Sequence, residues 1–180
     1  MLLPKTRRRA VFLDRDGVIN RALVVNGKPY PPANLETMEI LPGVPEALSA
    51  LSKAGFLLIV ITNQPDVARG TTPQSTVEAI NQYLADVLPI DEFRTCFHDD
   101  RAACDCRKPM PGALLAAAKQ HDIDLENSYM IGDRWRDIEA GERAGCRTIF
   151  IDYGYDEKQP VSMNFCVKTL QEAANLICKL

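Results

Sequence analysis

Two aspartates, Asp14 and Asp16, lie one residue apart at the end of the apolar run in "VFLDRDGVIN", residues 11–20. A short apolar run of this kind predicts a buried strand, which would end at the two carboxylates. Two like charges held together repel each other unless a cation neutralises them. The same spacing also occurs in surface turns, so the pair alone leaves a turn and a site both open.

Polar side chains follow two further apolar runs. Thr62, Asn63 and Gln64 come at the end of "FLLIVI", and Asp133 follows "SYMIG". Asn63 taken alone would more often cap a helix. Ligands of open α/β sheets bind beyond the carboxyl ends of the strands, so three such ends predict one shared crevice. Several carboxylates gathered there favour Mg²⁺, which prefers oxygen ligands.

A second group of residues that could bind a metal lies in "CFHDDRAACDCRKP". Cys96, His98, Cys104 and Cys106 supply three sulfurs and one imidazole within eleven residues. Four such ligands favour tetrahedral Zn²⁺ in a structural role, because no position stays open for chemistry. The spacings are tighter than those of common zinc fingers, and the alternative is a set of reduced thiols near a surface histidine.

The pattern between these motifs alternates short apolar runs with amphipathic segments. The predicted strands cover residues 10–14, 56–62, 93–97, 128–133 and 147–152, and the predicted helices cover 42–55, 72–88, 111–122, 135–145 and 169–180. Thr72 is the expected N-cap of the second helix, with Pro73 in its first turn. Strict alternation predicts a doubly wound α/β fold with a mainly parallel sheet between helices. Nearly continuous apolar strands suit a sheet covered on both faces.

Length and composition predict one globular domain over residues 1–180, since the chain is 46% hydrophobic. Residues 20–41 and 98–110 do not fit the alternating pattern. Both lie between predicted elements, and no insertion is large enough for a separate cap domain. We therefore expect an open crevice walled by loops. The remaining cysteines are interpreted as core residues: Cys146, Cys166 and Cys178.

Charge and hydropathy favour a cytoplasmic protein without nucleic-acid or membrane partners. The net charge of −3 gives no general attraction to either, and "KTRRR" at residues 5–9 is interpreted as a solubilising flank. The start "MLLPK" lacks the pattern of a signal peptide. The longest apolar run, Phe56–Ile61, is far shorter than the roughly 20 residues that span a bilayer. We also expect a monomer.

Four motifs in this order resemble those of the haloacid dehalogenase (HAD) superfamily of phosphohydrolases: "FLDRDGV", "VITN", "RKPMPG" and "MIGDRWRDIEAG". The resemblance implies a HAD-like Rossmann-type fold and Mg²⁺-dependent hydrolysis of a phosphoric monoester. It also implies that Asp14 attacks phosphorus to form an aspartyl-phosphate. Asp16 would protonate the leaving oxygen and then deprotonate the hydrolytic water.

The same resemblance implies roles for the other motif residues. The carboxylates of Asp14 and Asp133 and the backbone carbonyl of Asp16 would hold the magnesium. Thr62 and Lys108 would bind phosphoryl oxygens.

Asn63 would orient the nucleophile. Asp137 has two open interpretations. It could support the metal site by contacting the groups that bind the metal, or it could be an exposed carboxylate that the dipole at the N-terminus of a helix favours.

The cysteine-rich loop before "RKP" resembles the branch that contains D-glycero-D-manno-heptose bisphosphate phosphatases and histidinol-phosphate phosphatases. The branch implies a structural zinc that fixes the loop carrying Arg107 and Lys108. Substrate contacts are expected from Gln64, Arg107 and Arg134. Arg136 is a further candidate for a second anionic group, and its alternative is a position on a solvated helix face. Arg134 departs from the branch, which has lysine there.

The expected substrate is a small phosphorylated metabolite, in the first place D-glycero-D-manno-heptose 1,7-bisphosphate. The alternatives are histidinol phosphate and another sugar phosphate. A different class, a zinc-loop nucleic-acid-binding module, is a distant alternative. The acidic balance and the lack of interleaved aromatic residues argue against it.

Overall fold

The computed structural model describes residues 7–180. The prediction that "MLLPK" is not a signal peptide therefore falls outside the described residues, as do the first two residues of "KTRRR". Within the described part of the chain, no helix is long and apolar enough to cross a membrane.

A six-stranded sheet forms the centre of the structure, in the order β5-β4-β1-β6-β7-β8. All its strand pairs are parallel. Its strands are β1 (Arg9–Leu13), β4 (Phe56–Asn63), β5 (Glu92–Cys96), β6 (Tyr129–Gly132), β7 (Arg147–Ile151) and β8 (Phe165–Val167). The predicted parallel α/β architecture is thus confirmed.

Five helices cover both faces of this sheet: α1 (Val44–Lys53), α2 (Gln74–Val87), α3 (Gly112–His121), α4 (Trp135–Ala144) and α5 (Leu170–Ile177). The side chains of β1 alternate between the two layers. Val11 and Leu13 pack with residues of α1, α2 and α5, and Phe12 packs with residues of α3 and α4. Because both faces of β1 are covered, its four buried residues, 10–13, are apolar without interruption.

The segment between β1 and α1 contains a two-stranded antiparallel hairpin of β2 (Leu23–Val25) and β3 (Lys28–Tyr30). The sequence pattern predicts no strands here, because both strands are three residues long and mostly exposed, and the second contains Pro29. Asn26 and Gly27 connect them, both with positive φ angles of 50° and 73°. Asn-Gly is a strong signal for such a turn. The hairpin takes the place of a separate cap domain.

Three local predictions need correction. Helix α2 begins at Gln74 with Pro73 as its N-cap, and no side chain caps it, so Thr72 is not the N-cap. Cys166 and Cys178 are exposed rather than in the core, because they lie on the edge strand β8 and just after α5. Cys146 is buried, as predicted.

Candidate active site

The centre of the site is a group of carboxylates at the carboxyl ends of β1 and β6. These strands are neighbours, and the backbone N–H of Asp14 donates to the carbonyl of Ile131 at 3.0 Å. Carboxylate oxygens of Asp14, Asp133 and Asp137 lie within 4.8 Å of one another, and all three residues are buried. The parallel pairing thus brings together the first and fourth motifs.

The carboxylate pair of Asp14 and Asp133 has the properties of a site for a divalent cation. Burial raises the pKa of Asp14 to about 6, with smaller effects from its charged neighbours. Burial, followed by the charges of Asp14 and Asp137, raises the pKa of Asp133 well above its usual value. Both buried oxygens of Asp133 lack a hydrogen-bond partner among the described residues. Since such burial is costly, these oxygens fit a bound hard cation such as Mg²⁺.

Gly17 allows the chain to pass close to this pair of carboxylates. Its φ angle is +92°, and a Cβ atom there would lie 1.9 Å from an oxygen of Asp133. Only glycine combines that backbone angle with so close an approach.

Lys108 is the buried cation of the site. Its ammonium donates to Asp14 Oδ1 at 2.7 Å and to the carbonyl of Ile61 at 2.7 Å. It also contacts Asp137 Oδ1 at 2.6 Å. Burial by itself lowers its pKa, but the charges of Asp137 and Asp14 raise the pKa of Lys108 above the ordinary value. The ammonium therefore stays charged at neutral pH.

Asn63 fixes the backbone of Lys108 by two hydrogen bonds. Its Nδ2 donates to the Lys108 carbonyl at 3.0 Å, and its Oδ1 accepts from the Lys108 N–H at 3.1 Å. Asn63 was expected to orient the nucleophile. The described contacts instead make it a support for the lysine, which in turn contacts Asp14.

Asp137 is almost fully buried, with 2% of its surface exposed. Its Oδ2 accepts the backbone N–H of Arg134 at 2.9 Å, while its other oxygen contacts Lys108. The interpretation of Asp137 as an exposed helix carboxylate is therefore wrong.

Asp16 lies at the edge of the crevice and is held by neighbouring side chains. Gln64 Nε2 donates to Asp16 Oδ2 at 2.7 Å and to the hydroxyl of Thr62 at 2.9 Å. Gln64 and Thr62 are both buried and do not line the crevice. The geometry thus gives Gln64 a contact with Asp16 in place of the expected substrate contact. Arg15, which the sequence analysis did not consider, is completely buried beside Asp16.

A crevice of about 240 Å³ opens above Asp14. Its lining includes the carboxylates of Asp14, Asp16 and Asp137, Lys108, residues of the hairpin and four arginines, which are Arg69, Arg107, Arg134 and Arg136. Asp100 is bound by Arg107 at 3.0 Å and by Arg69 at 3.3 Å, and Arg136 lies 3.8 Å from it. We call Arg69, Arg107 and Arg136 the arginine cluster. Arg69 also pairs with Asp66 at 3.1 Å, so two carboxylates face three guanidinium groups and the cluster keeps one excess positive charge.

Arg134 was expected to bind substrate together with Arg107. It lines the crevice, but its guanidinium is paired with the carboxylate of Glu157. Arg69 contributes to the cluster instead. No sequence prediction named Arg69, because nothing in its local pattern places it near the cysteine-rich loop.

The four predicted zinc ligands converge in the structure. Cys96 Sγ lies 3.5 Å from His98 Nδ1, 3.9 Å from Cys104 Sγ and 3.1 Å from Cys106 Sγ. A tetrahedral Zn²⁺ would hold such atoms about 3.5–3.8 Å apart. All three cysteines are free thiols, and burial raises the pKa of Cys96 to about 12. The donor set therefore fits a cation that displaces thiol protons.

Comparison with known proteins places the chain in a family. A family model described as HAD-hydrolase-like matches residues 105–173. The D-glycero-beta-D-manno-heptose-1,7-bisphosphate 7-phosphatase of Rhodopseudomonas palustris is 38% identical over 151 residues, which cover 77% of this chain and 81% of the relative. The enzyme of the same name from Escherichia coli K12 is also 38% identical, over 77% of this chain and 76% of its own.

A solved structure shows the same likeness in three dimensions. The D,D-heptose 1,7-bisphosphate phosphatase from B. bronchiseptica, complexed with magnesium and phosphate, has a TM-score of 0.77 and 27% sequence identity. The match covers 95% of this chain and 98% of that one. The chain therefore belongs to the HAD family of phosphatases. The resemblance of its four motifs to that family is confirmed.

The raised pKa of Asp14 predicts that stabilisation by Mg²⁺ depends on pH. A carboxyl whose pKa is raised by folding binds protons more tightly when folded, so its contribution to stability is lost as pH rises from about 4 to 6. Above that range Mg²⁺ no longer competes with the proton. We expect millimolar MgCl₂ to raise the Tm clearly at about pH 7.5 and only slightly at about pH 5. Thermal unfolding of Asp14→Asn is the control, and an equal Mg²⁺ effect at both pH values would contradict the assignment.

Proposed function

We propose that the protein is a Mg²⁺-dependent phosphatase that removes the 7-phosphate of D-glycero-D-manno-heptose 1,7-bisphosphate. The observation that carries the proposal is the carboxylate of Asp14, bound by Lys108 and close to Asp133, beneath an arginine-lined crevice. The names of the relatives support this choice of substrate. The site then offers a separate group of residues to each phosphate: Asp14 with Lys108 to one, and the arginines of the crevice to the other.

Asp14 is the proposed nucleophile. A bond forms between its carboxylate oxygen and phosphorus while the bond from phosphorus to the sugar oxygen breaks. Asp16 gives its proton to that leaving oxygen, so that the sugar leaves as an alcohol. The product on the enzyme is an aspartyl-phosphate at Asp14, which divides one difficult displacement into two easier ones.

Water completes the reaction. It attacks phosphorus and gives its proton to Asp16, and the bond from phosphorus to Asp14 breaks. Inorganic phosphate leaves, and both aspartates return to their starting forms. Asp16 thus acts first as a general acid and then as a general base.

Charge stabilisation comes from Lys108 and from the metal. Lys108 is buried, charged and already in contact with Asp14, so it is placed to neutralise a phosphoryl oxygen. Asp14, Asp133 and the carbonyl of Asp16 are the proposed magnesium ligands. Bound Mg²⁺ would offset the negative charge of the carboxylates and the phosphoryl group. Thr62 is proposed to help bind phosphoryl oxygens through its hydroxyl.

The arginine cluster is the proposed site for the second phosphate. Guanidinium groups bind phosphate oxygens in bidentate fashion, and three of them surround one carboxylate on the wall of the crevice. A dianionic phosphate satisfies this excess charge better than a neutral sugar hydroxyl does. This difference favours a bisphosphate over a monophosphate.

Zinc is proposed at Cys96, His98, Cys104 and Cys106, in a loop at about residues 96–106 within a single domain of residues 1–180. The site would fix the loop that supplies catalytic and substrate-binding groups. Arg107 donates to the carbonyl of His98 at 3.2 Å, and Lys108 follows directly. A monomeric state, a cytoplasmic location and the absence of nucleic-acid partners stay predictions.

Substitution of the two aspartates tests the proposed reaction. Asp14→Asn should lower phosphate release from the heptose bisphosphate by about four orders of magnitude or more, since an amide cannot form the acyl-phosphate. Asp16→Asn should slow both steps and let the phosphorylated protein persist, which intact-protein mass spectrometry would detect. Near-normal turnover by Asp14→Asn would show that Asp14 is not the nucleophile. Circular dichroism checks that both variants fold.

Arg69→Ala tests the site of the second phosphate. We expect kcat/KM for the bisphosphate to fall by about tenfold or more, because a charge-assisted hydrogen bond contributes about 1.5–3 kcal/mol. Hydrolysis of 4-nitrophenyl phosphate should hardly change, since it has no second phosphate. Arg147→Ala, at the amino end of β7, is the charge-matched control and should affect neither substrate. Equal losses on both substrates would contradict the proposed role.

Cys106→Ser tests the zinc loop. The variant should lose bound zinc, unfold at a lower temperature and show at least a tenfold lower kcat/KM, because Lys108 lies two residues away. Cys178→Ser changes an exposed cysteine outside the cluster and should behave like the original protein. Metal analysis measures the zinc content. If the Cys106→Ser variant lacks zinc but keeps full activity, the loop stabilises the fold and does not position the catalytic groups.

A further inference from the structure

Arg15, between the two catalytic aspartates, is an arginine with none of its surface exposed. Its Nη2 donates to both oxygens of Asp16 at 3.1 Å, and its Nε donates to Oδ1 at 3.3 Å. A charged side chain is seldom fully buried unless it is paired. The pairing with Asp16 therefore explains how Arg15 is tolerated in the interior.

Two neutral side chains complete the surroundings of Asp16. Asn20 Nδ2 donates to Oδ1 at 3.0 Å, and Gln64 Nε2 donates to Oδ2 at 2.7 Å. We call Arg15, Asn20 and Gln64 the Asp16 clamp. Its three members come from the loop after β1 and from the end of β4, so they restrict the carboxylate from more than one side.

Arg15 is itself fixed by residues remote from the reacting groups. Its Nη1 donates to Asn81 Oδ1 at 2.8 Å, and Asn81 Nδ2 donates to the hydroxyl of Thr95 at 3.0 Å. Asn81 lies on α2 and Thr95 lies on β5. Neither residue lines the crevice. The contacts thus form a continuous chain from the sheet edge through α2 to Asp16.

We propose that Arg15, held by Asn81, is a positioning residue that sets the orientation of the Asp16 carboxyl group toward the leaving oxygen. The inference rests on the proposed role of Asp16 as general acid. Proton transfer requires hydrogen-bond reach to the leaving oxygen, and a misplacement of about 1 Å can cost roughly a hundredfold in rate. Without Asn81, one arm of the buried guanidinium loses its acceptor. Arg15 then shifts and releases Asp16 from its productive position.

Asn81→Ala tests the proposal without touching the site. The readout is kcat/KM for a series of aryl and alkyl phosphates with leaving groups of increasing pKa. A good leaving group such as 4-nitrophenolate needs little protonation, whereas an alkoxide depends on the general acid. We expect less than a twofold loss on 4-nitrophenyl phosphate and about a tenfold or greater loss on alkyl phosphates, so the plot against leaving-group pKa becomes steeper. Thr95→Val, which breaks the chain one step further away, should show a smaller change in the same direction.

Gln82→Ala is the matched control, because Gln82 is the exposed neighbour of Asn81 on α2 and its side chain donates a hydrogen bond to Asp86, away from Arg15. If Asn81 has a merely structural role, Asn81→Ala lowers kcat/KM for all esters by the same factor and leaves the slope of the plot unchanged. That result would overturn the proposal. Asp16→Asn in the same series separates the two ideas. If Asp16→Asn steepens the plot and Asn81→Ala does not, the positioning role fails while the acid assignment stands. If Asp16→Asn leaves the slope unchanged, the acid assignment itself fails.

Discussion

The structure depends on an imbalance of charge at the carboxyl ends of β1 and β6. Asp14, Asp133 and Asp137 place three buried carboxylates within 4.8 Å of one another, and among residues 7–180 Lys108 supplies the ammonium that contacts Asp14 and Asp137. When all are ionised, two negative charges remain, which one divalent cation neutralises. Burial makes this imbalance costly without the ion, because water is not available to screen it. The same burial strengthens every electrostatic contact with a phosphoryl group.

Much of the surrounding structure serves to keep Lys108 and Asp16 in place. Asn63 holds the lysine backbone at the end of β4, and the cysteine cluster holds the loop from which the lysine extends. Gln64, the next residue, has its backbone N–H on the carbonyl of Cys96 at 2.8 Å and its side chain on Asp16. The cysteine-rich loop, the end of β4 and the proposed general acid are therefore linked by direct hydrogen bonds. A structural change in the loop can therefore displace Lys108 and Asp16 and so slow both proposed steps of the reaction.

In the crevice, the residues proposed to bind the substrate differ from those proposed to carry out the reaction. Asp14, Asp16, Asp137 and Lys108 line the crevice together with the arginine cluster and residues of the hairpin. Asp100 compensates part of the arginine charge and keeps the three guanidinium groups close together. An open wall of this kind admits a sugar with two phosphates without the domain closure that a cap would provide. In this arrangement, substrate choice depends on side chains from loops rather than on the sheet.

Sequence patterns correctly predicted the parallel α/β fold, the placing of Asp14 and Asp133 at strand ends and the grouping of three cysteines with His98. These features depend on apolar periodicity and on residues that are close together in the chain. Both can be identified in short stretches of sequence. Three other features become visible only in the folded chain: Asp137 is buried, Gln64 contacts Asp16, and Arg69 rather than Arg134 joins the arginine cluster. Arg15 and Asn81 are 66 residues apart, and their contact exists only because α2 packs beside the end of β1. Side-chain partners at the ends of elements depend on packing between distant segments, and no local period encodes that packing.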